Sequence, residues 1–434
     1  MHSSRRSSVR FGAQSSFLRI RGVRALTLGV TFLSAVALPT SAAEAHGPYV
    51  VVRDDGTLSK TIKGSLEPSR FIMKAYEATG AERPDVISVW SAFTADQSDL
   101  STLFFPAGND VAGIGLDSVY GDDGTFYTEF APTKAMLLHN NIYALPKRAE
   151  FQHAPVENFA DYLFLLELSH LWGPALRIPV ADGGATSENA LIGFRFHWSF
   201  WMDAGGSPAG GNRWKDNGQG TFTAITAKPS DLTYSMLDLY MMGLADPSEV
   251  PPFGILENAV PPANITDPFT SKALGAASFP YWDDTKVLTV TASRRTITIE
   301  DIIAANGPRT PAQKDWSHRL TLGIVLMLPK GATDDDAVKA QAAMDPIAAR
   351  LAPAFERATL GRGHLDVLTK ATVDEVDAGI ADDAGENAVA PSAPGDNGGC
   401  AAAGVAPSTA AVGAFSLVLG AAALARLRLR RRRR

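Results

Sequence analysis

The sequence predicts an α+β fold, a mixed sheet with helices packed on one side of it. Three observations lead there. Between two atypical ends lie roughly 325 residues, 46–370, enough for one large domain. Within them the order is a strand and a helix, then several strands, then a central helix, rather than a strict β-α alternation. No internal repeat is present, and the apolar and aromatic content is that of an ordinary globular protein.

The elements follow in order. Residues 49–52 read as a short strand, and 68–79 as a helix preceded by Ser65 and ended by Gly80. Residues 85–93 (DVISVWSAF) are β-rich and read as a buried strand. Strands are expected over 111–116 and 125–130, separated by the turn Gly121-Asp122-Asp123-Gly124, and again over 141–145. Residues 156–172 form the clearest helix pattern, stopped by Gly173-Pro174. A hairpin over 285–299 leads into a helix over 300–305; a strand over 319–328 and a longer helix over 335–359 complete the domain.

The ends are of a different kind. A basic leader with Arg5, Arg6, Arg10, Arg19, Arg21 and Arg24 precedes the apolar run 25–38 and the small residues Ser41-Ala42-Ala43-Glu44-Ala45. That order is a secretory signal peptide, assigned to residues 1–45, and the run is too short for an ordinary spanning helix. Residues 371–399, acidic and rich in Ala, Gly, Pro and Asp, are expected to be a solvated, disordered linker. Residues 400–434 hold Cys400 after Gly398-Gly399, an apolar segment over 405–425, and a basic end from Arg426 to Arg434. The arginines should stay on the cytoplasmic side, placing the domain across the membrane from them. Cys400 is the single cysteine, so no internal disulfide is available and the domain must be held by its core.

Lys and Arg number 40 against 46 Asp and Glu, a net charge of −6, and no basic cluster occurs outside the ends; nucleic acid is excluded as an expected partner.

Chemistry concentrates in residues 158–172, NFADYLFLLELSHLW. Zincin peptidases write H-E-x-x-H on a helix, where two histidines one turn apart grip zinc and the glutamate polarises its water. Here the stretch is Leu166-Glu167-Leu168-Ser169-His170. Glu167 stands at the base position and His170 at the second ligand, while Leu166, which cannot coordinate a metal, stands at the first. Downstream, 195–201 alternates so that His197 shares a face with Arg195 and Ser199. His197 is therefore the third-ligand candidate, its other reading being a buried histidine beside Arg195. Asp238 is a further metal candidate, or else a capping or internally paired carboxylate. Phe194, Phe196, Trp198, Phe200, Trp201 and Trp214 form either a substrate groove or core packing. Asp216-Asn217-Gly218-Gln219-Gly220 is too short for a calcium loop and reads as a tight turn.

Two separated parts of the chain carry a resemblance. Gly398-Gly399-Cys400, the short apolar helix and the arginine cluster resemble the MYXO-CTERM sorting signals of myxobacterial surface proteins. His170-Leu171-Trp172-Gly173, His197-Trp198-Ser199-Phe200, Gly211-Asn212-Arg213-Trp214, residues 234–244, Ile299-Glu300-Asp301-Ile302 and Gly307-Pro308-Arg309 resemble the myxosortase-dependent metalloproteases of myxobacteria, over most of 111–363. The resemblance implies a zincin-like metallopeptidase domain, with a mixed sheet and an active-site helix. It also implies zinc as cofactor, a protein or peptide substrate, and a sorting protease of the myxosortase kind that processes the tail at Cys400. Location at the cell surface, or release after processing, follows from the same resemblance. Two departures stand out: Leu166 replaces a histidine ligand, and Leu171 replaces the arginine that follows the second ligand. The leading expectation is a surface-anchored, metallopeptidase-like protein with an impaired site. The alternatives are an active zinc metallopeptidase with an unusual ligand set, and a non-enzymatic surface binding or structural protein.

Overall fold

A computed structural model describes residues 44–56, 68–80, 83–94, 102–116, 130–143, 159–180, 187–193, 196–226, 231–267, 272–283 and 285–368. The segments read as a signal peptide (apart from residues 44 and 45), a linker and a sorting signal with Cys400, the turn expected at 121–124, and the strand expected over 125–130 (apart from residue 130) lie outside the described residues.

The chain begins with β1 (Glu44–His46) and β2 (Tyr49–Arg53), then α1 (Pro68–Ala78), β3 (Val86–Ser91), β4 (Thr102–Pro106) and β5 (Ala135–His139). The central helix α2 (Phe159–Ser169) follows, with the small strands β6 (Ile178–Pro179) and β7 (Ser187–Glu188). Next come β8 (Trp198–Asp203), β9 (Gly210–Gly218), β10 (Thr221–Ile225), α3 (Met236–Met242), β11 (Phe253–Val260) and β12 (Thr289–Ile297). The chain continues with α4 (Ile299–Asn306), β13 (Arg319–Leu328), α5 (Asp334–Ala358) and β14 (His364–Val367).

These strands build two bodies of sheet. A mixed seven-stranded sheet has the order β1-β2-β13-β3-β5-β4, with β14 also paired to β13. β13 runs parallel to β2 and to β3, and its residues 322–328, LGIVLML, are all buried and form a continuous apolar run. β8 to β12 close into a five-stranded barrel, which the sequence reading did not anticipate.

Alternation along the sheet strands separates two cores. Tyr49, Val51, Trp90, Phe104, Leu137, Ile324 and Leu326 join the large core that contains α2 and α5. Val50, Val52, Ile87, Val89, Phe105, Leu138 and Val325 join a second core with Ala75 and Ala78 of α1. Helices therefore lie on both faces of the sheet, not on one side as expected, because both faces of these strands are apolar. A third core fills the barrel around Phe200, Trp214, Phe222, Leu256 and Val290.

The strand expected over 111–116 is instead a bent segment holding one bridge, Ala112 to Thr310. Gly113 has φ +76 there, and a Cβ would meet the Pro308 carbonyl oxygen at 2.2 Å, so the chain turns against a neighbouring backbone. Of the strand expected over 141–145, residues 141–143 form a turn in which Asn141 takes φ +21, and 144 and 145 lie outside the described residues. Residues 285–299 supply one strand, β12, whose partners are β10 and β11 rather than a hairpin of its own. Among the described residues no helix is long and apolar enough to cross a membrane.

Candidate functional site

α2 sits where the sheet, α5 and the barrel meet, and all eleven of its residues are buried. A helix apolar on every side belongs inside a core. Its polar exceptions are each tied down or enclosed. Asp161 pairs with Arg350 of α5 at 3.1 Å, and Tyr234 donates its hydroxyl hydrogen to the Leu165 carbonyl at 2.6 Å.

The α-helix ends at Ser169, and His170 lies just beyond it. The Ser169 hydroxyl donates to the Leu166 carbonyl at 2.6 Å, the acceptor that the His170 N–H would use in an α-helix. The His170 N–H turns instead to the Glu167 carbonyl at 3.1 Å, and those of Leu171 and Trp172 make the same three-residue step. The end of the helix has tightened into a 3₁₀ turn, in which side chains three apart eclipse. His170 thus stands in the tighter step just past the α-helical stretch that holds Leu166 and Glu167. Gly173, at φ +129 before Pro174, ends the turn.

His170 and His197 are brought together across the interior: their rings lie 5.0 Å apart at 85°. Leu166 and Glu167 are 0% exposed, His170 1% and His197 7%. Phe104 of β4 lies edge-on to His170 at 5.8 Å, and Phe279 lies 5.9 Å from His197. His170 Nδ1 is 3.3 Å from the Gly173 carbonyl oxygen, whereas its Nε2 is buried with no hydrogen-bond partner among the described residues. Both carboxyl oxygens of Glu167 are likewise buried and without a hydrogen-bond partner there. Burial pushes the Glu167 carboxyl well above its ordinary value. Burial, then the neighbouring His197, holds His170 well below the usual imidazole range, against a smaller opposing effect of the Gly173 carbonyl. Burial thus pushes an acid and a base, side by side, each toward its uncharged form.

Asp238 is elsewhere engaged. One oxygen accepts from Trp198 Nε1 at 2.7 Å, and the other from the Ser235 backbone N–H at 2.7 Å and hydroxyl at 2.6 Å, in a capping box at the start of α3. A metal would have to displace these bonds, and the capping reading is the one the geometry fits. Phe200 and Trp214 pack inside the barrel with Trp201, so these aromatics form core rather than groove. The segment 216–220 is the β9–β10 turn, with Gly218, Gln219 and Gly220 all at positive φ.

A further histidine, His139, is buried in the interior. It ends β5 fully buried, stacked 3.9 Å from the Trp90 ring, with Nδ1 2.9 Å from the Thr102 hydroxyl. Burial lowers its pKa to about 3. A histidine closing an apolar run such as AMLLH was the available signal.

The resemblance implies zinc, and His170 and His197, whose rings lie 5.0 Å apart, are the residues here that could hold it. Among the described residues no three His, Cys, Asp or Glu side chains are arranged to hold a metal ion. Glu167, His170 and His197 are the nearest approach to one, with the first ligand position taken by a core leucine. No family model matches the chain, and neither a curated protein nor a solved structure matches it.

Proposed function

We propose that this chain is an exported, surface-anchored, zincin-like metallopeptidase relative whose degenerate site no longer supports efficient hydrolysis. What carries the reading is the state of Glu167. A general base needs a charged carboxylate beside an activated water, whereas this carboxyl is fully buried, pushed by that burial toward its uncharged form, and lacks a hydrogen-bond partner among the described residues. Leu166 adds a fully buried apolar side chain where a ligand would stand. The chain's remaining role in this reading is binding at the surface, to a protein or peptide.

The closeness of His170 and His197 favours one second reading, an active site with an unusual ligand set. Zinc content and peptide hydrolysis of the purified full chain decide between them. The proposal expects sub-stoichiometric zinc and no hydrolysis sensitive to Glu167→Gln; stoichiometric zinc with hydrolysis abolished by that change overturns it. The sorting part is tested separately. Cys400→Ala should leave a longer, unprocessed protein in the inner membrane, and unchanged size and location would refute it.

A further inference from the structure

After α4 the chain crosses the end of α3 and places Arg309 inside, 6% exposed. Its backbone N–H donates to the Tyr240 hydroxyl at 3.0 Å, its Nε to the Met241 carbonyl at 2.7 Å, and its Nη1 to the Pro311 carbonyl. All three acceptors are neutral. Nη2 donates to nothing among the described residues, and no carboxylate there lies within ion-pair distance; Asp110 acts on the guanidinium only from farther away. Burial lowers its pKa to about 10, so it remains cationic at neutral pH. Nη2 reaches solvent, where an anion can meet this otherwise buried cation.

Space for one adjoins it. A cavity of about 50 Å³ is bounded by Arg309, Lys134, Asn109, Asp110, Trp172 and Trp316. The two indoles meet edge to face at 6.4 Å, and the guanidinium carbon lies 6.0 Å from the Trp316 ring centre. Asn109 fixes one wall by donating to the Leu171 carbonyl, at 2.5 Å. Lys134 adds a second cation, shared with Asp85 at 3.5 Å, while the exposed Asp110 opposes an entering anion.

We infer that this cavity binds a carboxylate group, with Arg309 as its charge partner and the two indoles as its walls. A flat two-oxygen anion matches a guanidinium edge, and the volume leaves little room beyond that group. The carboxylate comes either from a small organic acid or from the free C-terminus of a peptide.

Binding is tested on the purified full chain by calorimetry, and by tryptophan fluorescence with Trp172 and Trp316 as reporters. The probes are acetate, an N-acetylated tri-alanine with a free carboxyl, and its C-terminal amide. The site should saturate with acetate and with the free acid, each competing with the other, and bind the amide roughly tenfold more weakly or less. Equal affinity for the two acids assigns a small organic acid; tighter binding of the peptide acid assigns a chain end. Arg309→Gln should abolish binding. Because Arg309 also holds the end of α3, Asp110→Asn is the second variant: it removes an exposed like charge and should tighten binding several-fold. An amide that binds as well as the acid, no saturable binding of either acid, or an affinity unmoved by Asp110→Asn overturns the assignment.

Discussion

Leu166→His restores the missing residue type, and the geometry states what should follow. Leu166 is fully buried among the core residues of α2. Removing it forfeits about 1.5–3 kcal/mol of apolar burial. Enclosing an imidazole with an unmatched polar atom costs about 1–3 kcal/mol more. The metal-free variant should therefore be about 2.5–6 kcal/mol less stable than the wild type, a large part of a typical total of about 5–15 kcal/mol. Zinc bound only to the folded form would return about 2.7 kcal/mol at a free concentration one hundred times Kd. The 3₁₀ turn limits that recovery, because positions 166 and 170 share a face only in an α-helix. Ser169 holds the turn by occupying the Leu166 carbonyl. Ser169→Ala frees that carbonyl for the His170 N–H, so Leu166→His with Ser169→Ala should bind zinc more tightly than Leu166→His alone. Urea unfolding in chelator and in zinc, with equilibrium dialysis for stoichiometry, measures both effects. Equal zinc affinity in the single and double variants would refute the role given to the turn. A Leu166→His protein as stable as the wild type without metal would refute the burial argument.

Three further outcomes follow from the interior. The Glu167 carboxyl is raised in the folded protein, so its stability is fully present below about pH 4.5 and declines as pH rises toward the folded value, by about 1.4 kcal/mol per unit; Glu167→Gln should remove that slope, and parallel unfolding curves from pH 5 to 7 would disprove it. His139 is depressed to about 3, so its contribution is whole above about pH 6.5 and falls by about 1.4 kcal/mol per unit as pH drops from there; His139→Leu should flatten the acid limb between pH 6 and 4.5, measured the same way. Gly243 has φ +76, and a Cβ there would lie 2.6 Å from the Arg309 guanidinium, so Gly243→Ala should cost about 2–4 kcal/mol by urea titration, and a cost under about 1 kcal/mol would contradict the packing.

What was legible in the sequence was local. The strand at 319–328, the helix at 335–359 and the one at 68–79 are placed within a residue at each end, because each carries a long one-period pattern or a distinct cap. β4 and β5 escaped notice: TLFFP and AMLLH are short and apolar on both faces, and show no alternation to read. The barrel escaped because closure depends on pairings between distant segments, such as β10 with β12, which no local pattern encodes. At the site, spacing placed Glu167 and His170 on one helix and named His197 as their neighbour, and the two rings do meet. The tightened turn could not be foreseen, since it rests on which carbonyl one serine hydroxyl selects. Nor could the enclosure of Glu167, since burial on all sides is set by what three separate bodies bring to α2.

The strand order of the large sheet has a consequence in time. β2 and β3 are made early, yet they do not touch each other as neighbours; β13, more than two hundred residues later in the chain, is the strip that fits between them. A chain that emerges with its N-terminus first, from a ribosome or through a pore, therefore holds two half-sheets with open edges until residue 328 has followed. Pairings that wait on so distant a segment form slowly, so the large sheet closes only once β13 has been made. The same interval leaves two apolar strand edges uncovered, and it is then that the molecule is most in need of a holding partner.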